Sequence, residues 1–109
     1  MTLSLKQQLM ETVLSWPGVA AGPHRFGGTE FRFEGKEIGH LHGEHHLDIP
    51  FSRPVRDELV AAGRAEPHHI FPDSGWVTVY VRSGADVANA AALLRMKYEK
   101  LSGMSGIGI

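Results

Sequence analysis

Histidine is the residue in this chain with the most obvious capacity for chemistry: His24, His40, His42, His45, His46, His68 and His69 are present, and six of these fall in close pairs. An imidazole titrates near neutral pH and is a common metal ligand. In His40-Leu41-His42 the two rings are two residues apart. On a strand they would share a face, about 7 Å apart. Two imidazoles so placed can converge on one metal ion with bonds of about 2.0–2.1 Å. Asp48, on the strand predicted to lie alongside, could add a carboxylate. The plainer alternative is that His40 and His42 line a solvated sheet face. A second group is His68-His69, ahead of the turn Pro72-Asp73-Ser74-Gly75, with Trp76 just beyond it. In a hairpin, His68 and Trp76 could set an imidazole beside an aromatic wall, suited to a small planar ligand or to acid–base work. The reading those residues favour is blander: Trp76 packs under the C-terminal helix and the histidines are exposed at the sheet edge. A third stretch, His24-Arg25-Phe26-Gly27-Gly28, has the glycines and arginine of an anion-binding loop. It does not lead into a helix, however, as a phosphate-binding loop should, and a tight loop entering a strand explains it equally well.

The elements that must position these groups follow from periodicity and caps. Ser4 with Gln7 three residues on is a capping box, and Leu5, Leu9, Val13 and Trp16 recur at helical spacing until Pro17-Gly18 stops the helix. Val19 to Gly28 reads as a loop. Thr29–Glu34 alternates polar and apolar, Glu37–His42 continues after the Gly35-Lys36 turn, and His45–Phe51 forms a third strand after Gly43-Glu44. Ser52 caps a second helix with Pro54 in its first turn, ended by Gly63. Glu66–Phe71 reads as a short edge strand and Trp76–Arg82 as a strong one. Ser83 with Asp86 opens a last helix carrying Val87, Ala90, Ala91, Leu94, Tyr98 and Leu101. The expectation is one α+β domain over residues 1–102, with a flexible glycine-rich tail over 103–109.

With 109 residues, 42% of them apolar, the chain suits a single core. It has no cysteine, which excludes disulfides, thiolate metal sites and cysteine nucleophiles. A formal net charge of −1 gives no global field for nucleic acid, so that partner is not expected. Arg53, Arg56 and Arg64 make a local basic cluster, which Asp57, Glu58 and Glu66 offset. No apolar run approaches the roughly 20 residues of a membrane span. Residues 1–14 lack the pattern of a signal peptide, so no membrane association and a cytoplasmic location are expected. Neither a nucleophile elbow nor paired carboxylates at catalytic spacing can be read.

Four segments together, HRFGGTEF (His24–Phe31), EIGHLHG (Glu37–Gly43), DIPFSRPVRDELVAAGRAEPHH (Asp48–His69) and PDSGWVTV (Pro72–Val79), resemble the bacterial luciferase-domain family over about Trp16 to Tyr98. No flavin or nucleotide motif accompanies the name. A fainter resemblance is to YjbR-like proteins of frataxin-like layout, through Trp16-Pro17-Gly18-Val19 and the Trp76–Val79 strand. That likeness implies a two-layer sandwich: an antiparallel sheet of about five strands, both terminal helices on one face, and a short helix between the third and fourth strands. The other face would be open, holding His40, His42 and Trp76. It also implies a DNA-associated accessory role, which the balanced charge weakens. Two other His-x-His families do not fit. The metallo-β-lactamase pattern would put Glu44 where that family has Asp and needs a much longer chain, and the cupin pattern requires an acid at His46 or Leu47. The function expected is a binding module using a histidine-rich sheet face (His40, His42, Asp48, His68, Trp76) for a small molecule, metal or protein. The alternative is a metal- or histidine-dependent, hydrolase-like enzyme. No particular cofactor follows from the sequence.

Overall fold

Side-chain caps set where the three helices begin. The computed structural model describes residues 2–24 and 27–103. Ser4 Oγ accepts the Gln7 N–H at 3.1 Å while Gln7 Oε1 accepts the Ser4 N–H at 2.9 Å, starting α1 (Leu5–Leu14). Ser52 Oγ accepts from Val55 N at the start of α2 (Arg53–Ala61). Ser83 Oγ accepts from Asp86 N at the start of α3 (Gly84–Ser102). The Asp86 carboxylate does not close a capping box on Ser83; it takes the Arg82 N–H, one residue further back, at 2.8 Å. Gly103, at φ 78°, ends α3 in the left-handed conformation that glycine adopts without penalty. The expected flexible tail otherwise lies outside the described residues.

Six strands, β1 (Val19–Pro23), β2 (Thr29–Phe33), β3 (Lys36–His42), β4 (His46–Pro50), β5 (Glu66–Pro67) and β6 (Trp76–Tyr80), form one antiparallel sheet in the order β1-β2-β3-β4-β6-β5. The meander predicted from the alternating runs is present, and the architecture is the expected α+β sandwich. There are two differences. Val19–Pro23, read as loop, pairs along its length with β2. Its Ala-Ala-Gly-Pro composition has no alternation to detect, and as an edge strand it needs no buried face. Glu66–Phe71 is a strand only at Glu66–Pro67, because Pro67 has no N–H with which to continue the ladder.

Alternation sorts the residues into two layers. Phe31, Leu41, Leu47, Ile49, Val77 and Val79 are buried on the face covered by α1 and α3, against Leu9, Val13, Leu94 and Tyr98. Gly39 lets α3 approach closely: a Cβ there would lie 2.8 Å from Leu94 Cδ2 and 2.9 Å from the Asp48 carbonyl oxygen. Residues of opposite parity, His40, His42, His46, Asp48, Trp76 and Thr78, point to the other face. That face is partly roofed by the loop from His68 to Gly75. Arg56 on α2 donates to the carbonyls of Pro72 (2.5 Å) and Ser74 (2.9 Å), bracing the loop. Gly75 sits so close to Phe51 that a Cβ would overlap its carbonyl oxygen, 1.9 Å away.

Candidate functional site

The floor of the site is a hairpin in register. His40 on β3 pairs with Asp48 on β4, and His42 pairs with His46. Asp48 in turn pairs with Thr78 on β6. Each residue two positions along a strand returns to the same face, so four side chains converge from two strands. Asp48 is 0% exposed. Its Oδ1 accepts the Thr78 hydroxyl at 2.7 Å and the His46 Nε2–H at 3.0 Å. Its Oδ2 lies 3.4 Å from His40 Nε2, 3.4 Å from His42 Nε2 and 3.3 Å from His68 Nε2, yet none of these contacts is a well-formed hydrogen bond. A buried carboxylate oxygen in that condition calls for an explanation.

Neighbouring groups assign the imidazole protons. His40 Nδ1 is 2.5 Å from Glu37 Oε2, so it carries the hydrogen and leaves Nε2 facing Asp48 and His42. Glu37 reaches this face because β3 is bulged. Phe31 pairs with Gly39 but the next residue, Arg32, pairs with Glu37, so Ile38 is extra and the alternation resets. His68 is the reverse case. Its Nδ1 accepts the backbone N–H groups of Ile70 and Phe71, both at 3.1 Å, so its hydrogen is on Nε2, which lies 3.3 Å from Asp48 Oδ2 without forming a hydrogen bond to it. Neutral His68 therefore has no lone pair to offer at that nitrogen. The Nε2 atoms of His40 and His42 are 3.0 Å apart.

The charges around His40 add a second proton to it near neutral pH when no cation is bound. Burial alone would push the His40 imidazole down, but Asp48 and Glu37 on either side outweigh it and raise its pKa to about 9. Burial would push the Asp48 carboxyl up; His40, the Thr78 hydroxyl, and the charges of His46 and His68 hold it well below the usual range instead. Burial lowers both His42, to which the charge of His40 adds, and His68. Above the floor is a cavity of about 540 Å³. Trp76, Ile70 and Phe71 form its apolar part, with Ile70 and Phe71 62% and 61% exposed at the mouth. His24 stacks on His40 with ring centroids 4.0 Å apart.

All five residues singled out from the sequence, His40, His42, Asp48, His68 and Trp76, are thus at one place. Trp76 does not pack under the C-terminal helix: it faces the cavity, 5.5 Å from the His40 ring, and His68 is buried rather than edge-exposed. Glu37, His46 and Thr78 went unnoticed. For His46 a signal existed, the same i, i+2 spacing relative to Asp48. The glycine–arginine stretch contributes His24 to the wall, while Arg25 and Phe26 lie outside the described residues. Arg56 and Arg64 are engaged structurally, Arg64 donating to Asn89 Oδ1 at 3.0 Å.

The fold and site define a small α+β sandwich domain with an imidazole- and carboxylate-floored cavity on the sheet face away from its terminal helices. The profile of the luciferase-domain family matches residues 35–97, more than half of the chain, and the chain belongs to that family. The match runs from the end of the β2–β3 turn into α3 and takes in every residue of the floor. No curated protein and no solved structure matches the chain. Among the described residues no helix is long and apolar enough to cross a membrane.

Proposed function

We infer that this domain is a binding module for one divalent transition-metal cation, held by His40 Nε2, His42 Nε2 and Asp48 Oδ2, with the cavity as room for a small ligand beside it. The observation that carries the reading is the buried Oδ2 without a hydrogen bond, facing two imidazole nitrogens at 3.4 Å that are themselves 3.0 Å apart. Donors bound at about 2.1 Å lie about 3.4 Å apart around a tetrahedral cation and about 3.0 Å apart around an octahedral one. These spacings are edges of such a polyhedron. A cation there would displace the proton that His40 holds near neutral pH and engage Oδ2 and both Nε2 lone pairs at once. The surrounding groups fit the same role: Glu37 fixes the metal-binding tautomer of His40, and His46 and Thr78 hold Oδ1 so that Oδ2 faces the imidazoles.

Three protein donors leave coordination positions open toward the cavity, the arrangement of catalytic rather than structural cations. This favours, as a second reading, a metal-dependent hydrolase-like enzyme. A metal-free alternative has its own support: His40, clamped between Glu37 and Asp48, would serve as a buried imidazolium for acid–base work or for holding an anion.

The test is a titration of untagged protein, first treated with chelator, with Zn(II) or Co(II). Binding at a hundredfold excess over Kd should stabilise the fold by about 2.7 kcal/mol, raising the thermal midpoint by about 10 °C. His42→Ala, at a ring 37% exposed and so tolerant of truncation, should weaken binding at least a hundredfold with little effect on the metal-free midpoint. A chain that takes up no cation, or a His42→Ala protein that binds as the wild type does, would overturn the cation reading in favour of the imidazolium.

A further inference from the structure

Asp48 has two oxygens, and the site above uses one of them. We propose that Asp48 Oδ1, His46 and His69 form a second and weaker cation site, so that the filled domain carries two cations sharing the Asp48 carboxylate. This rests on the reading that Oδ2 holds the first. The donor atoms of His46, Asp48 and His69 all lie within 4.8 Å of one another. His46 Nε2 is already 3.0 Å from Oδ1, and the His46 and His69 rings meet at a centroid distance of 4.7 Å and an interplanar angle of 83°. His46 comes from β4 and His69 from the roofing loop, so this set spans the floor and the lid of the cavity.

The chemistry needs a change of tautomer at His46. Without a cation, His46 donates its Nε2–H to Oδ1. With one, the hydrogen moves to Nδ1, the Nε2 lone pair turns to the cation, and Oδ1 keeps its second lone pair on the Thr78 hydroxyl. Two features make the site the weaker one. The His69 ring is exposed, so a cation must order it on binding. Oδ1, unlike Oδ2, already has hydrogen bonds to give up. Filling it ties His69 to β4. Because His69 adjoins His68, whose Nδ1 holds the Ile70 and Phe71 N–H groups, the second cation also fastens the mouth of the cavity. Carboxylate-sharing cation pairs are a recurrent arrangement for binding and transforming oxyanion esters. A small phosphate ester is accordingly the ligand class for the doubly filled site.

Equilibrium dialysis of the untagged chain against rising free Co(II), with cobalt counted by elemental analysis, tests this directly. The wild type should take up two cations per chain, the second at a free concentration at least tenfold higher than the first. His69→Ala, at an exposed position that folding does not depend on, should take up one, with the first step unmoved. Amide exchange at Ile70 and Phe71 should slow on the second step in the wild type and not in His69→Ala. A wild type that stops at one cation refutes the second site and leaves the first intact. A His69→Ala protein that still binds two, or that loses the first step as well, also refutes it. A wild type that binds none removes the first site too, so the two failures are told apart.

Discussion

Replacing Asp48 by asparagine in the metal-free protein removes the charge that the imidazoles are gathered around, and its cost can be worked from the contacts. The amide oxygen can keep the Thr78 hydroxyl and His46 in place, but the amide nitrogen then faces His68 Nε2–H, donor against donor, with no bulk water at a position that is 0% exposed. Removing one partner of a buried charge cluster typically costs about 3–5 kcal/mol. The rise of His40 from 6.5 to about 9 gives an independent figure of about 3 kcal/mol, part of which belongs to Glu37. At about 4 °C per kcal/mol for a domain of this size, Asp48→Asn should melt roughly 12–20 °C below the wild type near pH 6. The pH dependence has two edges. The folded carboxyl is held below its ordinary 3.8, so its contribution is present above that value and fades as pH falls below it. The folded His40 is raised, so its contribution is full below 6.5 and is lost as pH climbs through about 9. The gap between the two melting curves, followed by circular dichroism with chelator present, should therefore be widest between about pH 4 and 6.5 and narrow on both sides. Equal midpoints, or a gap that stays constant from pH 5 to pH 9, would refute the argument that Asp48 charge organises the cluster.

Two other substitutions probe separate links. Glu37→Gln keeps the shape but loses the carboxylate that fixes the His40 tautomer at 2.5 Å, and should weaken cation binding about 10–100-fold in a competition titration, against no change if Glu37 is a bystander. Gly39→Val should destabilise the fold by about 3 kcal/mol or more in urea, since its branches must displace Leu94 and press on the Asp48 carbonyl; an unchanged midpoint would mean that α3 is free to lift off β3.

How much of this could be read in advance depends on how far each residue lies from a regular element. The hairpin floor was legible. His40 and His42 on one strand, and Asp48 on the next, needed only the period of two and a tight turn at Gly43-Glu44, and the observed register sets His40 opposite Asp48. His46 obeys the same rule and could have been found with it. Glu37 could not, because it is three residues from His40, where strict alternation would send it to the helix-covered face. A one-residue bulge at Ile38 brings it back. Nothing in the local composition marks that bulge, which lies next to the glycine that α3 presses against. For His68 and Trp76 two placements stand open, together beside a ligand or apart at the sheet edge and under the C-terminal helix, and local pattern favours the second, because the roof that brings them together is a tertiary feature. Pro67 ends the β5 ladder, Arg56 on α2 holds the carbonyls of Pro72 and Ser74, and together they fold an apolar-tipped loop over the sheet rather than along its edge. The local pattern thus places the donors, whereas their burial comes from the loop. Burial is what turns a row of titratable groups on a strand into a cluster whose unsatisfied Oδ2 demands a partner. A hairpin with the same residues and no roof would leave Oδ2 to water, and the case for a cation would vanish with it.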